Sequence, residues 1–253
     1  LKLSLLGGQA SELREIQLPK ALESLSSAES GLIIITGPPS SGKSTLIARY
    51  VAQLTAERAL YVATSEDPVE RGLSSGKGLV SQRSVGRHCA GHIQAIETAL
   101  TTQAEVITCS DLSAPYVFER LVEAACASVL AIGELRGHGV VSAIEQLVAA
   151  SPAARRNQLT ADLADCLLAV VSLDLLPKKA GGRALAVEAL LATPNACSLI
   201  RDGKLSMLQA LLDREPGMQS MDRCLLDLAT RGMIDGREAY ARATDKRPFA
   251  AWG

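Results

Sequence analysis

Gly37-Pro38-Pro39-Ser40-Ser41-Gly42-Lys43-Ser44 follows the apolar run Leu32-Ile33-Ile34-Ile35 and leads into Thr45-Leu46-Ile47-Ala48-Arg49-Tyr50-Val51. The β-branched run predicts a buried parallel strand. Leu46, Ile47, Tyr50, Val51 and Leu54 recur at helical spacing, so a helix starts where the glycine-rich turn ends. Its unpaired N–H groups and positive dipole end face the turn, which makes the turn a place for phosphate. Lys43 can reach β- and γ-phosphates, and the Ser44 hydroxyl is placed for Mg²⁺. Gly37 to Thr45 is thus the predicted nucleotide loop.

Downstream, residues 59–63 predict a second buried strand that runs out into Thr64-Ser65-Glu66-Asp67-Pro68-Val69-Glu70. Ligands of open parallel sheets bind at the strands' carboxyl ends. Glu66 and Asp67 are therefore candidates for orienting water or Mg²⁺, the alternative being a turn cluster before Pro68. A third predicted strand, residues 105–109, ends at Ser110-Asp111. An acid just past a strand is where the second nucleotide-site motif of such proteins belongs, which makes Asp111 its candidate; an acid after a short apolar run is also common on ordinary surfaces.

The rest of the chain keeps the alternation. Residues 71–91, rich in Gly, Ser and Arg, read as a long surface connection or short edge strands. Helices are predicted over 92–100 and 115–127, and a fourth strand over 128–133 leads to Glu134-Leu135-Arg136-Gly137-His138-Gly139. Strands alternating with helices imply a parallel sheet with right-handed crossovers. Helices over 140–150 and 155–170 follow, then paired strands over 173–176 and 184–191 joined by a basic turn. From Thr193-Pro194 the pattern is helical, broken at Gly203, Gly217 and Gly232, with Asp235 and Glu238 spaced as a capping box. Residues 244–253 are expected to be poorly ordered. At the other end, residues 1–6 alternate like a strand and 19–25 predict a short amphipathic helix. The chain begins with leucine, and is expected to continue upstream.

Composition excludes several functions. With 47% hydrophobic residues the chain can bury a full aliphatic core, and no apolar run approaches the ~20 residues that span a bilayer. Net charge is −1, with acids and bases interspersed, and aromatics are 3% of the chain, which argues against a nucleic-acid partner. The six cysteines stand singly, without C-x-x-C spacing, and are expected to be buried free thiols of a reducing cytoplasm.

The order of the phosphate loop, Ser65-Glu66-Asp67-Pro68-Val69-Glu70, Gln82-Arg83-Ser84-Val85-Gly86-Arg87 and Gly217-Met218-Gln219-Ser220-Met221-Asp222 resembles the PilT family of type IV pilus retraction motors, within the secretion ATPases. The likeness extends through Leu175 to Gly182, Ala192-Thr193-Pro194 and Ile200-Arg201-Asp202-Gly203-Lys204. It implies an α/β fold: a RecA-like core with a parallel sheet over residues 27–192, and a small helical C-terminal subdomain over 193–253. Residues 1–26 would be the remnant of an N-terminal domain and linker. It implies ATP and Mg²⁺ as ligands, with Gly37, Pro38, Pro39, Ser40, Ser41, Gly42, Lys43, Ser44 and Thr45 holding phosphate, Ser44 and Asp67 the metal, Glu66 polarising the attacking water, and Asp111 filling the second acidic motif. It further implies a hexameric homo-oligomer or an assembly with a paralogous pilus ATPase, working in the cytoplasm at the inner-membrane pilus base against a platform protein.

This chain departs from that family at defined places. Family members carry Gly-Glu-Met-Arg-Asp where Ser110-Asp111-Leu112-Ser113-Ala114 stands, and Thr-Leu-His-Thr where Glu134-Leu135-Arg136-Gly137 stands. The sensor histidine is replaced by Arg136, and His138 reaches that place only through a register shift. Both arginines of a basic family segment are absent from residues 96–105, leaving Arg83 and Arg87 as candidates for crossing a subunit boundary. Losing a transition-state arginine removes ~10³ to 10⁵ in rate, so nucleotide binding is expected to survive better than hydrolysis. Arg136 carries a permanent charge and is expected either to contact phosphate directly or, in the empty site, to pair with Glu66, Asp67 or Asp111.

Overall fold

The computed structural model describes residues 19–253. The expected strand over residues 1–6 lies outside them. A short helix α1 (Lys20–Glu23) precedes strand β1 (Gly31–Gly37), in which all seven residues are buried. Helix α2 (Lys43–Glu57) follows, then β2 (Tyr61–Glu66), β3 (Leu79–Ser84), α3 (His92–Thr101), β4 (Val106–Cys109), α4 (Pro115–Cys126), β5 (Leu130–Arg136), α5 (Val140–Ala150) and α6 (Arg156–Cys166). The chain closes through β6 (Leu167–Pro177), β7 (Arg183–Leu191), α7 (Pro194–Arg201), α8 (Met221–Thr230) and α9 (Gly236–Arg242).

The seven strands form one sheet in the order β3-β2-β4-β5-β1-β6-β7, parallel except for the β6–β7 pair. Two core layers cover its faces. On one, Ile33 and Ile35 meet Leu46, Tyr50, Val51 and Leu54 of α2. On the other, Leu32 and Ile34 join Phe118, Leu121 and Val122 of α4 and Ile144 of α5. A strand covered on both faces reads as an unbroken apolar run, as Leu32 to Ile35 does.

Two boundaries differ from expectation for that same reason. Residues 167–170, expected to end a helix, begin β6, because Leu167, Ala169, Val170 and Val171 are buried beside β1 and carry no alternation to set strand apart from helix. β5 continues past Gly133 through Glu134, Leu135 and Arg136, paired with Ile35, Thr36 and Gly37 of β1. Within the connection over 71–91, β3 forms a parallel edge strand on β2.

The C-terminal helices begin as read: Thr193 Oγ1 accepts the Ala196 N–H, and Pro194 occupies the first turn. No break in packing marks residue 193, since Ile200, Leu208 and Leu212 belong to the same cluster as Leu163 and Leu167. Asp235 caps α9 through the Arg237 N–H, whereas Glu238 turns to Arg242 instead of closing a capping box. The end of the chain is a 3₁₀ turn, Arg247–Trp252, with Phe249 fully buried against Leu225 and Ala239. Glu188 of β7, buried in the same half, accepts the Val140 N–H at the start of α5 at 2.7 Å and the Met221 N–H at the start of α8 at 3.5 Å. Among the six free cysteines Cys109 and Cys166 are buried and Cys126 is exposed, unlike the expected burial.

Gly133 ties this packing to the cleft above it. A Cβ there would meet the Leu112 side chain at 2.4 Å, and the Leu112 N–H donates to the Glu134 carbonyl at 2.9 Å. Gly133→Ala should therefore destabilise the protein by about 1–3 kcal/mol through overpacking. A thermal melt should fall by several degrees, while an unchanged melt would show that Leu112 yields freely.

Candidate nucleotide site

The carboxyl ends of β1, β2, β4 and β5 frame a cleft of about 270 Å³ over the start of α2. Its walls include Ser40, Lys43, Ser44, Glu66, Asp67, Glu70, Ser110, Glu134 and Arg136. The loop at its floor needs unusual backbone. Ser40 and Gly42 have φ of 64° and 94°, and a Cβ on Gly37 would strike the Ser41 hydroxyl at 2.5 Å.

Lys43 folds back over this loop, donating from Nζ to the carbonyls of Gly37 at 2.9 Å and Pro38 at 3.0 Å. Burial lowers its ammonium below the ordinary value; Arg136 pushes the same way, while Glu134 and Glu70 oppose. Ser41 Oγ is buried and has no partner among the described residues. A buried hydroxyl left over in the loop and a lysine whose hydrogen bonds, among the described residues, go to its own loop's carbonyls suit a phosphate group. The hard oxygens of Ser44, Glu66, Asp67 and Glu134 suit Mg²⁺. Among the described residues no three His, Cys, Asp or Glu side chains converge into a metal cage of their own.

Glu66 is held by two donors on one oxygen: Thr64 Oγ1 at 2.6 Å and Gln82 Nε2 at 3.0 Å. Gln82, on the edge strand β3, also donates to the Arg71 carbonyl and accepts the Leu73 N–H, so it braces the cleft wall and Glu66 together. Asp67 is exposed at the rim, and its N–H donates to Ser110 Oγ at 3.1 Å.

Two expected placements are corrected, those of Asp111 and Arg136. Asp111 does not line the cleft; its carboxylate accepts the Ser113 N–H at 2.9 Å and closes its own turn. Arg136 lines the cleft but is exposed, and among the described residues it forms no ion pair with Glu66, Asp67 or Asp111, because its side chain starts at the solvent end of β5. His138 is exposed and lies outside the lining. The remaining loop residues Pro38, Ser41, Gly42 and Thr45 shape the turn and the start of α2.

Glu134 is the residue that sequence reasoning passed over. It is 8% exposed, and its Oε2 accepts the Ser44 hydroxyl in a long contact of 3.4 Å. Burial pushes its carboxyl up to about 7; Lys43 and the Ser44 hydroxyl pull it back, and Glu70 and Glu66 raise it further. The missed signal was a glutamate interrupting a strand covered on both faces, which has no core role of its own.

A phosphate loop in a cleft at the carboxyl edge of a mostly parallel sheet, with the loop strand fifth in order, defines a P-loop protein of the RecA-like fold. Residues 6–224 match the Type II/IV secretion system protein family, and the chain belongs to it. It is 30% identical to the twitching motility protein of Neisseria gonorrhoeae over 241 residues, covering 94% of this chain and 64% of the relative. It is 30% identical over 233 residues to the type IV pilus retraction ATPase PilT of Pseudomonas aeruginosa, covering 91% and 68%. A crystal structure of the pilus retraction motor PilT with bound ADP superposes with a TM-score of 0.89 at 30% identity, covering 96% of this chain and 70% of that one. The chain thus spans about two thirds of the length of these curated relatives.

The raised carboxyl of Glu134 gives a pH signature. The folded protein keeps a proton that the unfolded chain releases above pH 4.5, so Glu134 costs nothing below that value and destabilises progressively up to about pH 7. Above the window the loss is on the order of 3 kcal/mol. Glu134→Gln should therefore raise the melting temperature of the nucleotide-free protein more at pH 8 than at pH 5, by several degrees. An equal offset at both pH values would overturn this reading.

Proposed function

We propose that this chain is an ATP-binding motor subunit of a type IV pilus machine, coupling Mg-ATP hydrolysis to pilus retraction and twitching motility within a hexameric ring. The observation that carries the reading is the loop itself: Lys43 and Ser44 stand at the start of α2 in a cleft with Glu66 on the adjoining wall, and the PilT structure this chain resembles holds ADP. Gly37 to Thr45 would bind the phosphates, with Ser44 and Asp67 toward the metal. Glu66, already oriented by Thr64 and Gln82, would accept the proton of an attacking water. Asp111 would act in catalysis only if its turn opened. We infer a cytoplasmic place at the inner-membrane pilus base, residues 27–192 as the motor core, 193–253 as its helical appendage, and a membrane platform protein as partner; no helix among the described residues is long and apolar enough to cross the membrane.

A second reading is favoured by one observation: the acid after β4 is folded onto its own turn. On that reading the chain binds nucleotide, hydrolyses it poorly, and docks on an active paralogous pilus ATPase. Calorimetry and turnover on wild type and Lys43→Ala separate the two. The motor reading expects micromolar Mg-ATP binding with turnover that Lys43→Ala abolishes. Binding with negligible turnover, even beside an active paralogue, supports the accessory reading, and absence of binding sinks both.

Arg136, exposed at the cleft rim, is proposed to meet the γ-phosphate. Arg136→Ala should leave the melt without added nucleotide unchanged, since no acid among the described residues pairs with it, and weaken ATP binding more than ADP binding. Equal weakening of both nucleotides would place the arginine elsewhere on the ligand.

A further inference from the structure

β5 lies between β4 and β1 in the sheet and pairs with β1 through Ile35↔Glu134 and Gly37↔Arg136. A side chain near the end of β5 therefore starts directly beside the phosphate loop. One from β4 starts a strand further out, about 4.8 Å more distant. Asp111 stands beyond β4, is a methylene shorter than glutamate, and already accepts the Ser113 N–H. The packing of Leu112 over Gly133 keeps it there: the Leu112 side chain occupies the space a Cβ on Gly133 would need, and its N–H is bonded to the Glu134 carbonyl. The same contact that turns Asp111 away thus fixes the backbone that presents Glu134.

Glu134 has no structural partner that explains its place. It is buried, its hydrogen-bonding neighbour is the Ser44 hydroxyl, and it enters no ion pair among the described residues. A carboxylate held against the hydroxyl of a phosphate loop is a hard oxygen donor beside the position a nucleotide's metal takes.

We propose that the acid directed at the nucleotide's magnesium has changed strands in this chain, so that Glu134 on β5, and not Asp111 after β4, holds the metal together with Ser44. The proposal rests on the Mg-nucleotide reading of the cleft. It assigns Asp111 to the turn and leaves Glu66 the water.

The test uses ADP with Mn²⁺ as a spin probe, read by electron paramagnetic resonance on the full chain, and ADP affinity in chelator by calorimetry. Glu134→Gln should keep metal-free ADP binding and lose Mn²⁺ affinity in the ADP complex by ~10- to 100-fold. Glu134→Asp, which retains the charge on a shorter arm, should recover part of the loss. Asp111→Asn should change neither readout. Loss of Mn²⁺ affinity in Asp111→Asn with Glu134→Gln unaffected would overturn the assignment while leaving the nucleotide reading intact. Wild type that takes up no ADP, with or without metal, would overturn both. Glu134→Gln that loses ADP equally in chelator would overturn the metal role, since the residue would then be serving the loop itself.

Discussion

The parallel pairing of β5 with β1 is the interaction on which the cleft depends. It places three consecutive residues of one strand, Glu134, Leu135 and Arg136, in register with Ile35, Thr36 and Gly37 at the entrance to the phosphate loop. Their alternation then divides the labour: Glu134 points at Ser44, Leu135 is buried in the core, and Arg136 emerges at the rim. β1 can serve as that reference because it is covered on both faces and flanked by strands on both edges, so its seven residues have no freedom to slip.

The electrostatics of the cleft follow from this crowding. Buried Lys43 and Glu134 act on each other, with half-buried Glu66 and exposed Glu70 adding negative charge at the wall of the cleft. Lysine and glutamate are each displaced toward their neutral forms by burial, and their mutual attraction compensates only in part. Such a site is poorly satisfied by its own groups. On the proposed nucleotide reading, a polyanion with a cation attached would supply both missing charges at once, and its binding would offset the stability that the crowded groups cost.

Much of the fold was legible in the sequence because local signals agreed with one another. A β-branched run, a glycine turn and a helical repeat define the strand, loop and helix around Lys43 without reference to anything distant. Thr193-Pro194 and the positive-φ glycines Gly203, Gly217 and Gly232 mark the C-terminal helix boundaries for equally local reasons. The failures were non-local. Residues 167–170 could be strand or helix until β1 is known to lie beside them, and Glu134 reads as a strand terminator although β5 runs on to Arg136 beside β1. The position of Asp111 just past an apolar run carries no information on the turn that captures it. The order of Phe249 was hidden because it depends on Leu225 and Ala239, distant in sequence.

Glu188 gives the molecule a mechanical property. The strand bearing Glu134 and Arg136 runs through the turn at Gly137–Gly139 into α5, whose first N–H is held by Glu188, and the other oxygen of that carboxylate reaches the start of α8. Pulling α5 away from β7 would strand a buried carboxylate, at a cost on the order of several kcal/mol. Strand end, turn, α5 and the C-terminal helices are therefore linked like a push-rod, with a single carboxylate as its pin.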